Sequence, residues 1–205
     1  MKYLCYQIGI ELKNQLTSLR KEFFRKTIHL CTAAVPFLLH IARIPALLCL
    51  CTAGILYIFA ETLRSNGHEI PLISDITAAA ARKRDENKFV LGPVTLVAGI
   101  ILAAFLWNES AAAVGIFALA FGDGLASLAG KVFGKIRVPY ARGKTVEGSL
   151  TCFAAIFCST FFVLNDCSLA LTVAITGTLV EVLPLKDFDN LLIPPLLGAV
   201  VTYSL

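Results

Sequence analysis

Residues 111–134 read AAAVGIFALAFGDGLASLAGKVFG, an apolar run that holds one acid, Asp123, well inside it with no cation adjacent in sequence. A carboxylate at membrane depth is costly, so Asp123 is expected to face a protein interior, a wet cavity or a metal. Gly122, Ala126, Gly130 and Gly134 recur every four residues and make one smooth helical face. Close helix–helix contact through small residues accounts for that face. It does not account for Asp123.

The rest of the chain shares the apolar character. Its 205 residues are 57% hydrophobic and 16% charged, with a mean hydropathy of +0.77. A soluble domain carries about 25% charged residues, so the excess apolar surface must face something other than water. The expected fold is an all-α integral membrane protein with about seven transmembrane helices and an N-terminal interfacial amphipathic helix. The spans read as Thr27–Ala42, Ile44–Leu63, Phe89–Trp107, Ala111–Val132, Ser149–Leu164, Leu169–Leu183 and Leu191–Leu205. Residues 1–26 form the cytoplasmic interfacial helix and 27–205 the transmembrane core of a single polytopic domain, 1–205. No internal repeat or Gly/Ser/Pro linker divides it. The apolar stretch Tyr3–Ile10 runs straight into Glu11-Leu12-Lys13-Asn14 without a small-residue cleavage site, so no cleavable signal is expected. The seven cysteines lack metal-type spacing and mostly sit in apolar runs, as small hydrophobes do.

Charge sets the orientation. With these spans, of the 18 basic residues only Arg43 falls on one side; Arg82, Lys83, Arg84 and the rest fall on the other. The positive-inside rule then puts the N-terminus and the charged connections in the cytoplasm and the C-terminus outside. Most acids follow the same side, which leaves only Glu109 and Asp166 in outer connections. Contact with anionic headgroups explains basic residues alone. It leaves the accompanying carboxylates unexplained.

Four charged groups collect at that face. Glu22, Arg25, Lys26 and His29 lie at helical offsets of three, four and seven and share one helix face. Arg25 and Lys26 there can hold phosphate oxygens or simply anchor a span. Asp123 is the second group. The third is Arg142-Gly143-Lys144-Thr145, followed by Glu147 and Gly148. The Gly-Lys-Thr triplet is P-loop-like, but Val138 stands where that motif needs a glycine, and a membrane helix precedes it instead of a strand. Gly122-x-Gly124 likewise lacks the third glycine of a dinucleotide fold, with Ser127 in its place. The fourth group is Glu181, Asp187, Asp189 and Asn190, with Pro194 and Pro195 opening the last span; it can hold a divalent cation, accept a hydroxyl proton, or form a solvated acidic turn. A further feature, Arg82–Lys88 leading into Gly92-Pro93, marks either a broken turn in span three or an ordinary proline near a helix start. Cations and acids gathered at a bilayer surface suit a nucleoside triphosphate with a metal, plus a lipid entering sideways.

These motifs resemble the membrane kinases for polyisoprenoid and related lipid alcohols: dolichol kinase, phytol kinase and the CTP-dependent diacylglycerol kinases. The matching residues are Arg25-Lys26 with His29, the run from Phe121 to Ser127, Gly134-Lys135, Gly143 to Ser149, then Glu181, Asp189-Asn190-Leu191 and Ile193-Pro194, in the same order. The resemblance implies Mg²⁺-requiring transfer of the γ-phosphoryl group of CTP to a membrane lipid hydroxyl, with the bilayer and no nucleic acid as partner. Under it, Asp123, Glu147 and Glu181 are candidate Mg²⁺ ligands. Arg25, Lys26, His29, Lys131, Lys135 and Lys144 are candidate phosphate contacts. Asp189 or Asp187 would take the hydroxyl proton, with Asn190 orienting it. The related phosphatidate cytidylyltransferases carry a His-Gly-Gly run and an Asp-Arg-x-Asp signature that this chain lacks. Dolichol kinases usually add N-terminal spans, so the resemblance favours a small bacterial-type member of the cytoplasmic membrane. A transporter would string polar groups across the whole bilayer, and the outer halves of these spans are nearly free of charge; a scaffold subunit would bind no nucleotide.

Overall fold

The computed structural model describes residues 2–68, 88–141 and 143–204. Arg82, Lys83, Arg84 and Arg142 lie outside the described residues. The described chain is helical, with one isolated antiparallel bridge, Arg137 to Thr145, and no strand. Helix α1 runs Lys2–Cys31, and a 3₁₀ turn at Thr32–Ala34 joins it to α2, Val35–Ser65. There follow α3 (Gly92–Leu106), α4 (Glu109–Phe117), a π-helical turn (Ala118–Asp123), α5 (Gly124–Phe133), α6 (Val146–Leu164), α7 (Cys167–Val182) and α8 (Asp189–Ser204).

Among the described residues, three stretches are long and apolar enough to cross a membrane: Leu16–Ser65, Glu109–Phe133 and Val146–Leu164; α3 and α7 are apolar but shorter. Leu16–Ser65 has 50 residues, about 75 Å of helix against a hydrocarbon core of about 30 Å. It breaks at Ala42 (φ −154°, ψ 80°). Pro45 causes the break, because it lacks an N–H and its ring crowds the preceding turn. The break falls between the first two spans expected from sequence. By contrast α1 continues unbroken through residue 26 and pauses only at Thr32. Pro93 also behaves simply: it occupies the first turn of α3, where its missing donor has no helical partner to lose. Pro194 and Pro195 do not open the last helix but sit inside α8, which starts at Asp189.

The α4–α5 stretch is the central helix. Of its apolar window 72% is buried, against 22% for α6. Ile116, Leu119, Ile156, Val173, Ile193 and Leu197 meet there with almost no exposure. The small-residue face works as expected. A Cβ on Gly122 would stand 2.8 Å from Ile156, and one on Gly130 2.9 Å from Thr145 Oγ1, so the π turn and α5 lie directly on α6 and its entry. Helix α8 is held the same way, by backbone contact. A Cβ on Gly99 of α3 would lie 2.2 Å from the Asn190 carbonyl oxygen, and one on Gly115 of α4 2.1 Å from that of Pro194. Trp107 Nε1 donates to the Pro195 carbonyl at 2.8 Å. Pro194 cannot donate to the carbonyl four residues earlier, that of Asn190.

Gly99→Ala should therefore destabilise the protein by about 1–3 kcal/mol, the cost of overpacking, although alanine is the better helix former. Gly92→Ala, with nothing within 4 Å of the added methyl, should be neutral. Thermal unfolding in detergent compares them, and equal midpoints would refute the backbone-contact account.

Candidate active site

At the charged end of the bundle, α1, α5, the entry to α6 and the turn between α7 and α8 enclose a cavity of about 360 Å³. Five cations (Arg25, Lys26, Lys131, Lys144, Lys186) and four acids (Glu22, Asp123, Glu181, Asp189) line it among the described residues.

The face predicted on α1 supplies its first wall. Lys26, only 2% exposed, donates to Asp123 Oδ2. His29 Nδ1 lies 3.1 Å from the same oxygen. One turn earlier, Glu22 pairs with Arg25 and, at 3.0 Å, with Lys131 of α5, and it accepts a hydrogen bond from Ser127 Oγ. The π turn aims Asp123 at α1 by adding a residue to the helical register just before it.

The second wall is the entry to α6. Residues 136–138 pair back with 144–146: Val138 N–H donates to the Lys144 carbonyl and Val146 N–H to that of Ile136, each at 2.9 Å. Gly143 turns the chain at φ +86°, a left-handed conformation that costs glycine little. Thr145 caps α6 by accepting the Gly148 N–H. Lys144 thereby reaches Glu181 at the end of α7, 2.9 Å away. In the first turn of α6 the amides of Val146, Gly148 and Ser149 are already bonded, so an anion would be met chiefly by side-chain cations.

The third wall is the start of α8. Asp189 is buried and its Oδ1 accepts the Asn190 N–H at 3.0 Å. Burial, and then the charge of nearby Asp123, push its carboxyl up to about 6. Among the polar atoms buried without a hydrogen-bond partner are Glu181 Oε2 and Ser149 Oγ. Their residues line this cavity, and a buried orphan costs about 1–3 kcal/mol unless a ligand completes it.

The structure thus brings together Arg25, Lys26, Lys131, Lys144, Asp123, Glu181 and Asp189. His29 stands behind Asp123 as its partner. Glu147, Lys135, Asp187 and Asn190 are not among the lining residues. Glu147 turns outward and accepts the N–H groups of Lys135 (3.0 Å) and Ile136 (3.3 Å), bracing the loop. Lys135 is exposed. Asn190 Nδ2 donates toward Thr95 Oγ1 and the Gly92 carbonyl, each at 3.4 Å, and fastens α8 to α3. Asp187 is half-buried two residues before Asp189. Two lining residues carried no sequence expectation of their own. Ser127 lies four residues after Asp123, a spacing that pattern alone could have used. Lys186 is set by a positive φ of 61° in a turn that has no sequence signature.

No group of three or more His, Cys, Asp or Glu side chains is placed to cage a metal among the described residues. A Mg²⁺ ion that arrives with a triphosphate needs only one or two carboxylates. The free Glu181 Oε2 and the buried Asp123 suit that requirement.

Comparison with known proteins gives a consistent picture. Over 149 residues the chain is 29% identical to the chloroplastic phytol kinase 1 of Arabidopsis thaliana, covering 63% of this chain and 48% of that protein. Over 193 residues it is 28% identical to a phytol kinase of Synechocystis, covering 90% of this chain and 80% of that one. The chain is similar to phytol and farnesol kinases. The farnesol kinase, also chloroplastic and from Arabidopsis thaliana, is 28% identical over 61% of this chain and 46% of its own length. The chain spans about half the length of these two Arabidopsis relatives. No protein-family model and no solved structure matches it. The family resemblance read from the motifs therefore holds at the level of lipid-alcohol kinases.

The Lys26–Asp123 pair is the test of how this site is held together. Lys26→Met leaves a buried carboxylate uncompensated and should cost about 3–5 kcal/mol of stability. Adding Asp123→Asn should recover most of it. A double variant no more stable than Lys26→Met, measured by denaturation in mixed micelles, would contradict the pairing.

Proposed function

We propose that this chain is a kinase that transfers the γ-phosphoryl group of CTP to the hydroxyl of a membrane lipid alcohol. The observation that carries the reading is the cavity itself: five cations, four buried acids and unsatisfied polar atoms gathered at one end of apolar helices. The relatives named as phytol and farnesol kinases support the acceptor class, and the motif resemblance supports CTP. The arrangement behind it is seven spans in one unit of a bacterial cytoplasmic membrane. In it the N-terminus and cavity face the cytoplasm and the C-terminus lies outside, as the charge distribution favours.

Phosphoryl transfer needs positioning and charge neutralisation more than covalent chemistry. Lys144, Lys131, Lys186, Arg25 and Lys26 line the cavity and are the groups to neutralise the triphosphate. Asp123 and Glu181 are the best-supported acids for Mg²⁺, which when bound screens the charge building up on the β and γ phosphates. Glu147 acts at one remove, by holding the loop that delivers Lys144. Asp189 accepts the hydroxyl proton as the alcohol oxygen bonds to the γ phosphorus. The bond from that phosphorus to the β,γ-bridging oxygen breaks, and CDP leaves. A base raised to about 6 is ionised at neutral pH yet close enough in basicity to work as a proton acceptor.

Activity should rise with pH through about 6 and level off above it, because only the ionised form of Asp189 accepts a proton. Asp189→Asn should remove that limb and lower kcat by about 10²–10⁴-fold. The decisive assay sets diacylglycerol, phytol, farnesol and polyprenol against CTP and ATP with purified protein. No phosphorylated alcohol in any combination, or full rate in Asp123→Asn, would overturn the proposal.

A further inference from the structure

Lys135 was expected to meet phosphate, yet it lies outside the charged cavity, and its surroundings fit it to a different partner. Residues 131–140 read KVFGKIRVPY, with three cations and no acid. All but Val138 are exposed. Large apolar side chains stand among the cations: Phe133 is 68%, Ile136 62% and Tyr140 99% exposed. Tyr140 also stands at φ +64°, a left-handed conformation that a residue bearing a Cβ adopts only at a cost. Helix length places this segment relative to a bilayer. The central helix, Glu109–Phe133, has 25 residues, about 37 Å against a hydrocarbon core of about 30 Å. Helix α6 has 19 residues and is about as long as that core is thick. The connection between the two helices therefore falls at the level of the headgroups. Aromatic rings settle at that boundary, and cations there meet lipid phosphates.

The same connection delivers Lys144 to the cavity. Arg137 bridges to Thr145, the Val138 N–H holds the Lys144 carbonyl, and the Lys144 N–H donates to the Ala141 carbonyl at 3.2 Å. Glu147 fastens the outer arm through the N–H groups of Lys135 and Ile136. We infer that Lys135, Arg137 and Tyr140 dock this connection on the headgroups of anionic phospholipids, and that docking fixes the arm that carries Lys144. Charge complementarity selects the lipid class. The exposed arm bears cations only, and each gains about fivefold in affinity near an anionic surface. A zwitterionic headgroup offers no such gain. The inference goes beyond the kinase reading, and the order of the connection is measurable without turnover.

The test is hydrogen exchange of the full chain in nanodiscs of phosphatidylcholine and of an equal mixture with phosphatidylglycerol. The amides of Val138, Lys144 and Val146 should exchange about tenfold more slowly in the anionic discs. Salt at about 1 M, which cuts the screening length to about 3 Å, should erase the difference. The double variant Lys135→Gln, Arg137→Gln should also erase it, and Lys135→Arg with Arg137→Lys should keep most of it. Arg20→Gln, at an exposed position of α1, should leave it unchanged. Each variant is read as a ratio between the two compositions, so a change in its overall stability cancels. Equal exchange in both kinds of disc would overturn the inference. So would inorganic phosphate giving the same protection in phosphatidylcholine alone, which would make this a site for free anions. If CTP slows these amides in phosphatidylcholine and the Gln variant loses that effect, the two cations serve the nucleotide and the inference falls. Lipid-dependent protection without phosphorylation of any alcohol would sink the kinase reading and leave the docking standing. Phosphorylation with equal exchange in both discs would do the reverse.

Discussion

A negative charge buried in the most enclosed helix of the bundle has to be compensated by something, and here it is Lys26. The carboxylate of Asp123 comes from the central helix and the ammonium from α1, 97 residues earlier. A desolvated ion left alone costs several kcal/mol, while a pair of them is tolerable when hydrogen-bonded. That one requirement ties the position of α1 to the centre of the fold. Glu22, Arg25 and Lys131 repeat the connection one turn away, and Ser127 adds a hydrogen bond. The Lys144–Glu181 pair brings α6 and α7 to the same place. Three polar links therefore close a cavity that the apolar packing alone leaves undefined.

Packing and chemistry divide along the same helix. The side of the central helix that bears Gly122, Ala126 and Gly130 takes the close contacts with α6. The turns that bear Asp123 and Ser127 meet α1. A π turn is a costly irregularity, and functional sites are where such turns are commonly kept. In this chain it sits immediately before the acid on which the site is built.

Much of this was legible from residue order. Asp123 stood out because an acid in an apolar run demands a partner, and the four-residue rhythm of small residues exposed a packing face. The offsets of Glu22, Arg25, Lys26 and His29 put them on one face of α1, where three line the cavity and the fourth supports Asp123. Helical offsets describe one helix and cannot say which neighbour its face will meet. That is why the offsets anticipated a cationic face at Lys26 but not its pairing with Asp123. Glu147 and Lys135 lie off the cavity lining for a related reason: their loop folds back, and the brace between them depends on backbone amides that carry no side-chain signature. Asn190 looked chemical from its neighbours, and its amide instead secures a helix end. The boundary expected at residue 26 had no physical marker, since nothing there stops a helix, whereas Pro45 marked the break near Ala42.

The glycine seats under α8 have a consequence for the protein's relation to its surroundings. With main chain resting on main chain at Gly99 and Gly115, the axial position of that helix is dictated from within. Peripheral helices can tilt as the hydrocarbon layer thickens or thins, while this one is held in register with α3 and α4. The acid at its tip is thereby tied to the bundle rather than to the lipid.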